Sequence, residues 1–116
     1  MLLNKYQEDA TRTARDFTDV KIDPTKMALA NWALGLTGEA GEAAELIKKH
    51  VFHGHDLDLS ELRKEIGDVM WYLANLAQTA GLDLEDIGKH NLEKLRARYG
   101  DGFSEEKSRN RVEYSN

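Results

Sequence analysis

The sequence predicts an all-α protein, a helical bundle of about four helices that is completed by oligomerisation. Three observations predict it. Apolar residues recur at three- and four-residue spacing over long stretches, and no segment alternates convincingly at the two-residue period of a strand. Asp23-Pro24, Asp58 with Glu61, and Asp83 stand ahead of apolar runs as helix starts. The segment around Trp71 is apolar on two sides, which a chain of 116 residues covers most simply with a second subunit.

Leu2, Leu3, Tyr6, Ala10, Thr13 and Phe17 share a helical spacing and place a first helix over about residues 2–16. Asp23 then acts as N-cap, with Pro24 at the first helical position of a helix reaching about His50. Its apolar face carries Leu29, Trp32, Ala33, Leu36, Ala40, Ala43 and Ile47, with Glu39 on the edge. Gly35, Gly38 and Gly41 recur along it. A helical glycine costs about 0.8–1 kcal/mol relative to Ala, so three together imply either close approach of another backbone or room for a ligand. The stretch Phe52-His53-Gly54-His55-Asp56 breaks the pattern.

A third helix follows from Asp58 to about Ala80, ahead of Gly81, with Leu62, Ile66, Val69, Leu73, Leu76 and Ala80 as its core face. Glu61, Glu65, Asp68, Tyr72 and Thr79 form a stripe beside that face, and Gly67, Met70 and Trp71 lie opposite. The fourth helix begins near Asp83 and runs to about Tyr99. Its stripe of Leu84, Ile87 and Leu95 contains Asn91, with Lys94 beside it, and a buried amide there needs a partner in the core or on a ligand. The polar stretch after Gly100 reads as an extended tail. Residues 1–100 therefore form a single helical domain and 101–116 its tail.

Charged residues make up 32% and hydrophobic ones 41%, which suits a folded helical protein rather than a disordered one. No cysteine is present, which excludes disulfides and thiolate chemistry. No apolar run approaches a membrane span and the N-terminus does not read as a signal peptide, so the expected location is cytoplasmic with no membrane partner. A net charge of −5 argues against binding a nucleic-acid polymer, yet it leaves open a free nucleotide held through metal ions.

Two acidic couplets, Glu39-x-x-Glu42 and Glu65-x-x-Asp68, carry the chemistry. Residues three apart share a helix face, so each couplet aims two carboxylates one way. Surface acids on a helix commonly have a Lys or Arg at i±3 or i±4. Glu39, Glu42 and Glu65 have none, and Asp68 has only Lys64. Such a concentration of negative charge asks for a cation, and carboxylate oxygens suit Mg²⁺. Glu45 differs, because Lys49 lies four residues on as a surface partner. His50, His53 and His55 share one loop without an evident fourth ligand, so they read as a polar loop near the mouth of the site rather than a transition-metal centre.

The runs Gly38-Glu-Ala-Gly-Glu-Ala-Ala-Glu-Leu-Ile-Lys-Lys, Glu65-Ile-Gly-Asp-Val-Met-Trp-Tyr-Leu and Asn91-Leu-Glu-Lys-Leu-Arg-Ala-Arg-Tyr99 resemble the MazG-like branch of the all-α nucleoside triphosphate pyrophosphohydrolases over roughly residues 25–100. The resemblance implies a MazG-like helical bundle, a homodimer or homotetramer, that uses Mg²⁺, with Mn²⁺ as an alternative. Its expected substrate is an NTP or dNTP, cleaved between the α and β phosphates to nucleoside monophosphate and pyrophosphate, a reaction suited to nucleotide-pool house-cleaning. By the same resemblance Glu39, Glu42, Glu65 and Asp68 are the catalytic metal ligands. Asn91, Lys94 and, more weakly, Arg98 contact phosphate or ribose. Tyr72 and Trp32 are candidates to wall the base, each weighed against a role in packing. Where some pyrimidine-selective relatives carry an aromatic residue, this chain has Lys49 and His50.

Three alternatives stand beside that reading. A di-iron or di-manganese bundle normally adds Glu-x-x-His, and no Glu lies three residues before any of the four His. A phosphoribosyl-ATP pyrophosphohydrolase shares fold and chemistry. A non-catalytic nucleotide-binding or interaction module would have had no need of all four carboxylates.

Overall fold

Three aspartates turn the chain into its long helices. The Asp23 side chain accepts from Lys26 N, with Pro24 at the first position; Asp58 accepts from the backbone N–H groups of Ser60 and Glu61; and Asp83 accepts from that of Glu85. Each satisfies donors that a helix N-terminus otherwise leaves without partners. The computed structural model describes residues 2–100, 102 and 104–110, so the last part of the expected tail, 111–116, lies outside the described residues. The elements are α1 (Leu3–Thr11), α2 (Pro24–Phe52), α3 (Leu59–Ala80), α4 (Leu84–Tyr99) and α5 (Glu105–Arg109), with no strand among the described residues. Helices α2 to α4 follow the expected boundaries closely. Helix α1 stops at Thr11, short of the expected end near residue 16, and the chain continues through turns closed by Arg12 to Ala14. The tail is not wholly extended. Ser104 caps the short α5, and the Lys107 ammonium donates to the Tyr99 carbonyl at 2.8 Å, closing the exposed C-terminus of α4.

Helices α2 and α3 form an antiparallel hairpin. Trp32 meets Thr79, Gly35 meets Tyr72, and Glu42 meets Glu65, so position along one helix rises as it falls along the other. The hairpin is the main helix–helix packing among the described residues; α5 folds against α4, and α4 does not pack along the hairpin. On α2 the packed line runs through Leu29, Trp32, Gly35, Leu36, Glu39, Ala43 and Leu46. Glu39 is therefore within the packed line rather than at its edge, and Ile47, expected in the core, is exposed.

Helix α3 is rotated relative to the sequence expectation. The side facing α2 carries Leu62, Glu65, Asp68, Tyr72, Leu76 and Thr79, around Ala77, which is 5% exposed. Ile66 and Leu73, expected at the centre of the core, are 49% and 40% exposed. Asn91 likewise sits on a stripe that is open in the chain, because Leu84, Ile87 and Leu95 are all exposed. Trp71 is 54% exposed. The radius of gyration is 20.3 Å, against about 13 Å for a compact chain of this length. Two packed helices enclose too little volume to bury their remaining apolar faces.

Candidate active site

Glu39 and Glu42 project from one turn of α2 toward Glu65 on α3, and one carboxylate oxygen from each lies within 4.8 Å of the others. No other group of three or more metal-ligating acids or histidines gathers this closely among the described residues. Glu39 and Glu65 are half-buried, and Oε2 of each is shielded from solvent without a hydrogen-bond partner. None of the three forms an ion pair with Lys or Arg among the described residues. The Glu65 carboxyl is pushed up to about 7, first by hydrogen bonding to Glu42, then to Glu39, with desolvation and the two negative charges adding to it. Three hard oxygen donors that share a proton and leave buried lone pairs unsatisfied fit a divalent cation.

The fourth carboxylate stands apart from that triangle. Asp68 is half-buried one turn beyond Glu65 on the same face of α3. Glu45 pairs not with Lys49 but with Lys48 at 3.6 Å, both side chains being about half exposed, and this separates it from the triad. The His loop closes on itself: the His50 ring, through Nδ1, meets the His55 carbonyl at 2.8 Å, and the backbone amides of His53 and His55 both donate to the Lys49 carbonyl. His50, His53 and His55 are not among the metal-ligating side chains that gather within 4.8 Å of one another among the described residues.

The two aromatic candidates lie along the hairpin from the carboxylates. The Trp32 Nε1–H donates to Thr79 Oγ1 at 2.9 Å, which fastens the open end of the hairpin. The Tyr72 ring rests where a side chain at Gly35 would have to sit. Trp71 meets Tyr72 edge-on at 5.1 Å between centroids and Trp32 at 5.5 Å. Both rings thus have packing roles. Of the three helical glycines, Gly35 answers to close approach, whereas a Cβ at Gly38 or Gly41 would meet nothing within 4 Å. The single sequence pattern concealed that difference.

Asn91, Lys94 and Arg98 lie on α4, which stands off the hairpin, so one chain does not bring them onto the triad. Asn91 is exposed; Lys94 and Arg98 are half-buried. Among the described residues, no helix is long and apolar enough to cross a membrane.

Comparison with known proteins places the chain in a family. The MazG nucleotide pyrophosphohydrolase domain matches residues 28–103, a span that takes in the carboxylates, α3 and the whole of α4. The Gene 37 protein of Mycobacterium phage L5 is 38% identical over 82 residues, which cover 67% of this chain and 72% of that protein. No solved structure matches. With the family's domain spanning well over half of the sequence, the chain belongs to the MazG nucleotide pyrophosphohydrolase family.

Proposed function

We propose that the chain is a divalent-cation-dependent nucleoside triphosphate pyrophosphohydrolase. Water adds to the α phosphorus of an NTP or dNTP, the bridging bond to the β phosphate breaks, and nucleoside monophosphate and pyrophosphate leave. The observation that carries this reading is the unpaired carboxylate triangle of Glu39, Glu42 and Glu65 on a hairpin of this family. These residues would hold the cation, with Asp68 one turn away completing the acidic set. Mg²⁺ or Mn²⁺ held there would supply positive charge against the phosphates and make water a better nucleophile at neutral pH. A clustered glutamate accepts the proton of the attacking water on a carboxylate oxygen. Trp32 and Tyr72, two turns from Glu39 and Glu65, wall the side toward the base, their rings already held by contacts across the hairpin.

Assembly into a homodimer or homotetramer completes this arrangement. The chain exposes 9882 Å², whereas a compact protein of 13.2 kDa exposes about 6,400 Å². Two copies that each hid this excess of about 3,500 Å² would bury about 7,000 Å² in total, at the large end of obligate homodimer interfaces. The aliphatic side of α3 with Ile66, Met70 and Leu73, and the open stripe of α4, are the surfaces a second copy covers. That packing sets Asn91, Lys94 and Arg98 against a carboxylate triad, where they contact phosphate or ribose. The reaction suits nucleotide-pool house-cleaning in the cytoplasm.

A product assay over a panel of canonical and modified nucleoside triphosphates tests the proposal. Pyrophosphate is expected as the first product, and only with divalent cation present. Release of orthophosphate first would overturn the reaction type.

A further inference from the structure

We infer that Gly35 and Tyr72 form the spacer that sets the separation of α2 and α3 at the carboxylates, and so act as positioning residues for the cation site. The inference rests on the metal-binding reading of Glu39, Glu42 and Glu65. A Cβ built on Gly35 would lie 2.6 Å from Cδ1 of the Tyr72 ring and closer still to Cε1 and Cζ. The obstacle is a rigid ring, not the end of a flexible side chain. The ring is also hemmed in: Trp71 lies edge-on to it at 5.1 Å, Trp32 is at 6.3 Å, and Trp32 is tied to Thr79. Space for even one methyl group must come from parting the helices or displacing the aromatic group.

Either movement acts close to the ligands. Gly35 is one turn before Glu39, about 6 Å along the axis, and Tyr72 is one turn past Asp68 and two past Glu65. The three carboxylate oxygens lie within 4.8 Å of one another, and Mg²⁺ accepts little departure from ligand distances of about 2.0–2.1 Å. An ångström of helix separation therefore takes Glu65 out of reach of a cation held by Glu39 and Glu42. The requirement is local to Gly35, since Gly38, one turn along the same helix, has open space where its Cβ would be.

Mn²⁺ titration of the full chain, followed by the electron paramagnetic resonance signal of the free ion, tests the spacer. Gly35→Ala should weaken Mn²⁺ binding about tenfold, the lower end of the effect of removing a ligand-orienting group. Gly38→Ala should bind as the unsubstituted protein does. In a Tyr72→Ala background the methyl at position 35 should cost less than about twofold, because the ring it strikes is gone. Wild-type Mn²⁺ affinity in Gly35→Ala, or the same loss with and without the ring, overturns the inference. A crystal structure of metal-free Gly35→Ala is the second measurement. The Glu39 and Glu65 oxygens should have moved apart; a displaced ring with the carboxylate spacing kept would refute the spacer. That measurement needs no metal, so it remains decisive even if Glu65→Gln binds Mn²⁺ unchanged and the metal reading itself fails.

Discussion

Lowering the pH from 8 to 6 should weaken divalent-cation binding in a way set by one carboxyl group. Glu65 is raised to about 7 by hydrogen bonds to Glu42 and then Glu39, so without a cation it is mostly protonated at pH 6 and mostly ionised at pH 8. A cation binds the ionised form and must displace that proton. The apparent affinity falls by a factor of 1 + 10^(7 − pH), which is about 1.1 at pH 8, about 2 at pH 7 and about 11 at pH 6. Isothermal titration calorimetry with Mn²⁺ in buffers of different ionisation heat reads both quantities. It should find about 0.9 proton released per site at pH 6 and about 0.1 at pH 8.

The metal-free protein should respond with a defined sign. The folded-state value of Glu65 lies above its ordinary 4.5, so the folded chain holds a proton that the unfolded chain has lost between pH 4.5 and about 7. This contribution to stability is fully present below 4.5 and is lost as the pH rises through about 7. Thermal unfolding without cation should therefore occur at lower temperature at pH 8 than at pH 6, and added Mn²⁺ should raise it more at pH 8. Glu65→Gln should flatten the metal-free pH dependence while abolishing the Mn²⁺ effect. A cation affinity that is flat from pH 6 to 8, with no proton released at pH 6, would refute the shared-proton account of the triad.

Glu42→Gln or Asp68→Asn should reduce cation-dependent pyrophosphate release to background while far-UV circular dichroism stays helical; full activity in either removes it from the site. Trp71→Glu places a charge on a side chain that is 54% exposed in the single chain, so size-exclusion chromatography with light scattering should show monomer if a second copy covers it. An assembly of unchanged mass would mean that Trp71 faces solvent. Asp58→Ala removes the acceptor for two backbone N–H groups at the start of α3 and should cost about 1 kcal/mol in urea unfolding at fixed protein concentration. A loss under about 0.3 kcal/mol would show that this cap does not hold the helix start.

Local signals were sufficient wherever the physics is local. Asp23-Pro24, Asp58 and Asp83 start helices because their side chains accept from backbone N–H groups two or three residues on, a geometry that depends on neighbouring residues alone. Gly81 at φ 75° ends α3 for the same kind of reason. The shortened α1 and the small α5 were less legible: α1 has no side-chain cap, and α5, capped by Ser104, is one short turn tied to α4 by Lys107 reaching back eight residues to the Tyr99 carbonyl.

The acidic couplets were legible as two pairs because the missing basic neighbours are a matter of i±3 and i±4 spacing. Their union into a triangle is a cross-helix fact. So is the separation of Gly35 from Gly38 and Gly41, which look alike along the chain until Tyr72 arrives from α3.

The sequence by itself determined the three long helices, where they begin, and that two of them carry carboxylates without basic partners. Only the tertiary structure decided which face of α3 meets α2. Helical periodicity ranks faces by average hydrophobicity and therefore favoured Ile66 and Leu73. The packed interface instead uses the Glu65, Tyr72 and Thr79 side, where a ring fits over a glycine and an indole finds a hydroxyl. Side-chain shape and hydrogen-bond pairing across two helices select that face, and neither is a property of one helix alone. The same choice brings Glu65 to Glu39 and Glu42, and it leaves the aliphatic side of α3 open.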